Sequence, residues 1–262
     1  MLLAPVIWIL TIVIYVLFAV VNLWWFPAPI SQHGIAYDQQ FKITLAVCGV
    51  IFFIAQMALG WAIYRYRSNG QHVEFSHGNN KLEIFWTSAA AFLFIGLVLM
   101  GSRIWAGVHF EKAPPDAIEI QVLAKQFAWA FRYPGPDGKL GRTDIKFIND
   151  ANGNPFGIDE SDLAGKDDIV NATLKVPVGK PILLILRSRD VIHNFFVREL
   201  RMKQDIVPGM EIPFHFQADT IGTYEVPCSE LCGLGHSQMR TTMEVMSEEN
   251  FEKWKKDQAA AK

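Results

Sequence analysis

The sequence predicts a chain of two characters, a set of membrane helices followed by an all-β domain. Three observations carry that reading. Of 262 residues, 51% are hydrophobic and only 19% are charged, too apolar a composition for an ordinary soluble domain. Long uncharged runs fill the first hundred residues. Beyond residue 112 the apolar residues instead fall into short alternating stretches separated by Pro and Gly turns.

Leu2 to Ile30 carries no charge, and Ile43 to Tyr64 and Ile84 to Ser102 are two further uncharged runs. Each can span a bilayer, because a helix rises about 1.5 Å per residue and about 20 residues cross the hydrocarbon core. These runs predict helices over 3–26, 42–65 and 84–107, within a membrane region 1–111. Trp24, Trp25, Trp61, Trp86 and Trp105 lie near the run ends, where an indole favours the headgroup layer. The first run lacks a positive n-region and an A-x-A cleavage site, so it reads as a retained helix and not as a secretory signal. Arg65, Arg67 and Lys81 lie between the second and third runs, against only Lys42 and Asp38 between the first two. Positive charge stays on the cytoplasmic side, which places the 65–83 connection there and everything beyond the third helix outside the plasma (inner) membrane.

In the second half Ile118, Ile120 and Val122 alternate with polar residues, and Phe127, Trp129, Phe131 and Tyr133 form a second alternating set. Further strands are expected at 172–176, 181–187, 192–197, 212–218, 222–227 and 240–246, which predicts an antiparallel sandwich or barrel over 112–246. The Gly-, Asp-, Asn- and Pro-rich stretch 134–168 reads as a long surface loop. Ser247, followed by Glu248 and Glu249, opens a short C-terminal helix and tail over 247–262.

The chemistry concentrates in one loop. Cys228-Ser-Glu-Leu-Cys232-Gly-Leu-Gly-His236-Ser-Gln-Met239 holds two thiols, an imidazole and a thioether, and His193 lies upstream. Soft sulfur with imidazole selects copper or zinc over magnesium or calcium. A thioether is a poor zinc ligand but a usual axial ligand in copper electron-transfer sites, so structural zinc is the weaker reading. Two thiolates can bridge a pair of coppers, with His193 and His236 as the imidazoles and Met239 and a backbone carbonyl as the weak donors. Nothing in that set leaves a coordination position open for substrate. In an oxidising compartment a Cys228–Cys232 disulfide is the competing reading. His215 reads as a strand histidine without a metal, and Cys48 as a small apolar side chain in a helix. A formal net charge of −2 without a long Lys/Arg run excludes the broad basic surface that nucleic acid needs.

Three stretches together resemble subunit II of haem-copper cytochrome c oxidases, which carries the binuclear copper centre CuA. They are Arg187-Ser-Arg-Asp-Val-Ile-His193-Asn-Phe195, the turn Asp205-Ile-Val-Pro-Gly209 and the Cys228-to-Met239 loop. The likeness runs from about residue 40 to 257 and implies a cupredoxin-like β-barrel. It implies His193, Cys228, Cys232, His236, Met239 and the main-chain carbonyl of Glu230 as CuA ligands, with the Glu230 side chain on a magnesium ion at the contact with subunit I. Implied partners are subunit I, other oxidase subunits, a c-type cytochrome donor and membrane lipid, with haem in the partner subunit and none in this chain. The implied function is to take electrons from the cytochrome and pass them to that haem, where O2 reduction is coupled to proton translocation.

Leu82-Glu83-Ile-Phe-Trp86-Thr87 resembles the family segment whose glutamate stands at the cytoplasmic mouth of a proton path, which would give Glu83 that role. A helix-start carboxylate favoured by the dipole is the plainer reading. Asp159, Glu160, Asp162, Asp167 and Asp168 group around one Lys, and residues 108–246 hold 19 Asp/Glu against 15 Lys/Arg. Such a surface would steer a basic cytochrome c, or is simply a solvated acidic loop.

The sequence also departs from the family. Gln126-Phe127-Ala128-Trp129 replaces the usual Gln-Trp-x-Trp, so Phe127 stands at the electron-receiving position and either it or Trp129 serves. Three apolar runs replace the family's two-helix hairpin. No Cys-x-x-Cys-His occurs, which excludes a fused haem c domain. The alternatives are the CuA-bearing subunit of a nitric oxide reductase and a membrane-tethered copper-delivery protein, the latter with fewer and more exchangeable ligands.

Overall fold

The computed structural model describes residues 2–21, 26–68, 70 and 77–260. The expectations for Trp24, Trp25 and most of the 69–76 stretch lie outside the described residues. The chain divides into two units, Met1–Pro27 with Ala36–Trp105, and Ala28–Ile35 with Ala106–Lys262.

The first unit is helical. Helices α1 (Leu3–Val21), α2 (Gln32–Arg65) and α3 (Asn80–His109) are each long and apolar enough to cross a membrane. Helix α2 starts well before residue 42. Its first turns are too polar to read as a membrane segment, yet Ser31 Oγ accepts the Gly34 N–H at 3.0 Å and caps them. Asn79 does the same for α3, its Oδ1 accepting from the Lys81 and Leu82 amides. Ala4, Trp8, Thr11 and Tyr15 form one stripe of α1 against α2. Ala4 and Thr11 are each 2% exposed, Trp8 Nε1 donates to the Met57 carbonyl at 3.3 Å, and the Tyr15 hydroxyl donates to the Gly49 carbonyl. The Trp8 indole lies so close over Gly60 that a Cβ there would meet Nε1 at 2.2 Å. Gln40 Nε2 reaches the Leu97 carbonyl of α3 at 3.4 Å. The remaining faces expose Ile9, Val13, Leu17, Phe92 and Val98, a surface suited to lipid.

Among the described residues the second unit contains ten strands: β1 (Ile118–Lys125), β2 (Ala128–Tyr133), β3 (Ile169–Asn171), β4 (Leu174–Pro177), β5 (Pro181–Ser188), β6 (His193–Val197), β7 (Met202–Ile206), β8 (Ile212–Gln217), β9 (Gly222–Pro227) and β10 (Arg240–Met246). They form sheets ordered β3-β2-β1-β5-β8 and β4-β10-β9, with β6-β7 as a hairpin. The pairing is mixed, because β1/β5 and β4/β10 run parallel. Long connections separate both pairs in sequence, as parallel neighbours require. Ile182, Leu184 and Leu186 of β5 and Leu174, Val176 and Met243 of the smaller sheet are fully buried.

Three features were hidden from the sequence pattern. Strand β7 alternates Lys203 and Asp205 with buried Met202 and Ile206 and is too polar to stand out. The stretch 134–168 is an ordered lobe containing a short helix α4 (Leu163–Lys166), and its Phe156 and Ile158 pack with Leu123 and Ala130. Buried Arg132 anchors the lobe by binding the Asp168 carboxylate and the Gly141 carbonyl. Residues 28–31 also join this unit: the Ile30 N–H donates to the Glu199 carbonyl at 3.0 Å and the Asp219 N–H to the Ile30 carbonyl at 2.7 Å. Helix α5 (Glu248–Ala260) starts where Ser247 Oγ accepts the Asn250 amide, and its Phe251 and Trp254 pack on Tyr133.

Candidate metal centre

Strand β6 begins at His193, and an antiparallel bridge between Phe195 and Cys228 sets the cysteine loop beside it. The loop closes on itself through the Cys228 N–H to the Met239 carbonyl at 2.9 Å and is tied to β6 through the Ser229 N–H to the Asn194 carbonyl at 3.1 Å. These backbone contacts bring distant residues together. His193, Cys228 and Cys232 are buried, with ligand atoms all within 4.8 Å of one another. Cys228 Sγ lies 3.8 Å from His193 Nδ1 and 3.2 Å from the Glu230 carbonyl oxygen. Cys232 Sγ lies 3.6 Å from His236 Nδ1 and 3.8 Å from the sulfur of buried Met239. Every residue expected in the ligand set is therefore brought to one place.

The two sulfurs are 3.9 Å apart and both thiols are free. A disulfide needs about 2.05 Å, so the crosslinked reading is not this structure. The donor set fits a copper pair: two sulfurs face each other, each beside one imidazole nitrogen, with a carbonyl and a thioether as weak donors. Burial, then the neighbouring Cys228, pushes the Cys232 thiol up to about 11. Metal binding here must displace a firmly held proton.

His193 Nε2 is 2.8 Å from Asp190 Oδ1. Burial opposes ionisation of Asp190, but the Gln126 amide, the His193 ring and the Val191 amide outweigh it and hold the carboxyl below its usual range. A carboxylate on Nε2 takes that N–H and leaves the Nδ1 lone pair facing Cys228. Neither Asp190 nor its partner Gln126 was singled out from sequence. The signal available was a carboxylate three residues before a ligand histidine.

Phe127 and Trp129 take different places. Strands β1 and β2 pair as far as Lys125 with Ala128, so Phe127 lies in the two-residue turn and the strand starts at Ala128. The Phe127 ring, 40% exposed, covers the cysteine loop so closely that a Cβ on Gly235 would meet it at 2.5 Å, and Gly233 is similarly crowded. Trp129 is 4% exposed and packs behind the site, its ring 6.5 Å from His193 and 5.9 Å from Phe195.

The remaining residues lie elsewhere. The Glu230 side chain is exposed. Glu83 is exposed in the first turn of α3. His215 Nε2 donates to the Glu111 carbonyl at 3.0 Å and its ring meets His33 edge-on, away from the thiols. Four of the five grouped acids are engaged within the lobe: Asp159 with Ser161, Asp162 with the Arg142 amide, Asp167 with the Asp137 amide and Asp168 with Arg132.

A family model described as the periplasmic domain of cytochrome c oxidase subunit II matches residues 118–246. An alternative cytochrome c oxidase subunit 2 of Bradyrhizobium diazoefficiens is 35% identical over 247 residues, covering 93% of this chain and 87% of that protein. The cytochrome c oxidase subunit 2 of Thermostichus vulcanus is 31% identical over 264 residues, covering 89% and 78%. A crystal structure of the periplasmic domain of subunit II of a Bradyrhizobium japonicum cytochrome oxidase aligns with 57% of this chain and 99% of its own, at 25% identity and a TM-score of 0.42. With near full-length relatives of one kind and a family model matching its β-domain, the chain belongs to the cytochrome c oxidase subunit II family and is a subunit of that haem-copper oxidoreductase.

Proposed function

We propose that the chain carries a binuclear CuA centre, receives single electrons from a c-type cytochrome and hands them to haem in subunit I of the oxidase. The donor set carries this reading: two buried thiols 3.9 Å apart, each facing an imidazole nitrogen, at 3.8 and 3.6 Å. His193, Cys228, Cys232, His236, Met239 and the Glu230 carbonyl would hold the metals. When bound, a copper pair held by these donors would supply one-electron transfer with little rearrangement as the electron arrives or departs. The protein supplies the rest. Burial of His193, both cysteines and Met239 keeps water from the donors and favours a resident metal over one passed on to another protein. Phe127 covers the loop on its exposed side and Trp129 packs against His193 from within.

The same reading gives the exposed Glu230 side chain to a magnesium ion at the subunit I contact, and Glu83 to the mouth of a proton path. It divides the chain into a multi-pass membrane region 1–111, a copper domain 112–246 on the outer or periplasmic side of the inner membrane, and a C-terminal helix and tail 247–262. Lipid covers the exposed apolar faces of α1, α2 and α3. The test is the full-length chain purified in detergent and loaded with copper. Two copper ions per chain and a seven-line hyperfine pattern are expected. One copper with a four-line pattern overturns the binuclear assignment.

A further inference from the structure

The ligand set leaves Asp190 and Gln126 unexplained, although both touch it. Three segments far apart in sequence meet at these residues: the β1–β2 turn, the turn before β6 and the cysteine loop. Asp190 Oδ1 takes His193 Nε2 at 2.8 Å, while its Oδ2 accepts the Gln126 backbone N–H at 2.7 Å. The Gln126 side chain points the other way, its Nε2 donating to the Cys232 carbonyl at 2.5 Å. The next residue, Phe127, lies over Gly233 and Gly235 of the same loop. We infer that Asp190 and Gln126 are positioning residues that lock the His193 arm and the Cys232 arm of the metal centre to the electron-receiving turn, so that the three move as one piece.

This inference rests on the copper reading above. A neutral imidazole has one N–H, and the group it bonds decides which nitrogen carries it. With Asp190 on Nε2, the lone pair is left on Nδ1, the atom that faces Cys228. The carboxylate also makes the ring a stronger donor, which favours the more positive, oxidised metal pair. Loss of that charge therefore raises the reduction potential. The Gln126 amide is uncharged and acts differently, by holding the peptide that carries Cys232. Its loss loosens the loop without the same electrostatic consequence. Mere packing would lower stability for either residue and leave the potential where it was.

The experiment uses the full-length chain in detergent. The unsubstituted chain must first bind two coppers, since failure there defeats the copper reading and leaves the network aside. Asp190→Asn keeps an acceptor but drops the charge, so copper should stay bound while voltammetry shows a higher potential. Asp190→Ala should weaken copper binding about 10- to 100-fold, the usual effect of removing a partner that orients a ligand. In the metal-free chain its His193 should change from a single Nε2–H form to a mixture, read from 15N shifts of labelled imidazole. Gln126→Met should speed copper release with a potential close to that of the unsubstituted chain. If Asp190→Ala does not fold, the potential of Asp190→Asn and the release rate of Gln126→Met decide. Unchanged copper affinity, potential and tautomer would overturn the inference, as would equal shifts that track thermal stability alone.

Discussion

Cys228 and Cys232 face each other across 3.9 Å, with the Met239 sulfur 3.8 Å from Cys232, and that arrangement fixes how each should respond to substitution. The proposed bridging role would make either thiol indispensable to both metals. Cys228→Ser or Cys232→Ser should abolish copper binding and the visible bands of the centre, measured by metal analysis and absorption. Met239→Leu removes a weak donor of similar size, so copper should remain while its potential shifts. A Met239 variant that loses all copper would show the thioether to be an anchor. At this scale the sequence was readable where the chemistry is local. Two cysteines, a histidine and a methionine within twelve residues announce a soft-metal loop without any knowledge of the fold. Gln126 was not readable, because its meaning lies in bonds to residues 64 and 106 positions away, and Asp190 offered only its place three residues before His193. Phe127 was read as a strand residue because the alternation runs through it. The pairing of Lys125 with Ala128 instead lifts it into a turn, onto the cysteine loop.

Elements were legible in proportion to their hydrophobic contrast. The three apolar helices and the strands with clean alternation stood out, whereas the polar start of α2, charged β7 and the lobe did not. The lobe owes its order to a few contacts that composition conceals: Phe156 and Ile158 inside, Arg132 with Asp168 beneath, and Asp150 tied to Arg189 and Lys125. The hydrogen bonds from Arg189, then Lys125, hold the Asp150 carboxyl below its usual range. A depressed folded value means that its contribution is present above the unfolded value, near pH 4, and is lost as pH falls through the folded one. Hydrogen exchange in 134–168 should therefore accelerate below about pH 4, and Asp150→Asn should remove that acid step. Helix α1 offers a separate test. Because the Trp8 ring occupies the space a Gly60 side chain would need, Gly60→Ala should lower the thermal midpoint of the detergent-solubilised chain by an overpacking cost of about 1–3 kcal/mol. In a Trp8→Ala background the same change should be close to neutral. Equal losses in both backgrounds would mean that α1 does not pack on α2 through this contact.

For the molecule as a whole, the proposed receipt of an electron would make two separable demands, an encounter governed by net charge and a transfer governed by local contact. Residues 108–246 carry 15 Lys/Arg against 19 Asp/Glu, a modest excess whose reach is limited to a Debye length of about 10 Å at 0.1 M salt. Most of the grouped acids in the lobe are tied to lobe amides and side chains, and Lys125 and Arg189 near the Phe127 turn are paired with Asp150. Around the metal loop a group of apolar side chains, Phe127, Val191, Ile192, Leu231 and Leu234, is exposed alongside Glu230. Salt should accordingly slow the second-order reduction of the copper centre by a basic c-type cytochrome only moderately, and should leave the rate within the complex unchanged. That internal rate depends on packed atoms between donor and metal, and the Phe127 ring lies directly over the loop. Phe127→Ala should slow it strongly, Phe127→Trp should preserve it, and Trp129→Phe should alter it less, since Trp129 sits behind His193 and away from solvent. Stopped-flow reduction at low and high salt separates the two stages. If Phe127→Ala and Trp129→Ala both leave the internal rate intact, electrons arrive by another face of the domain.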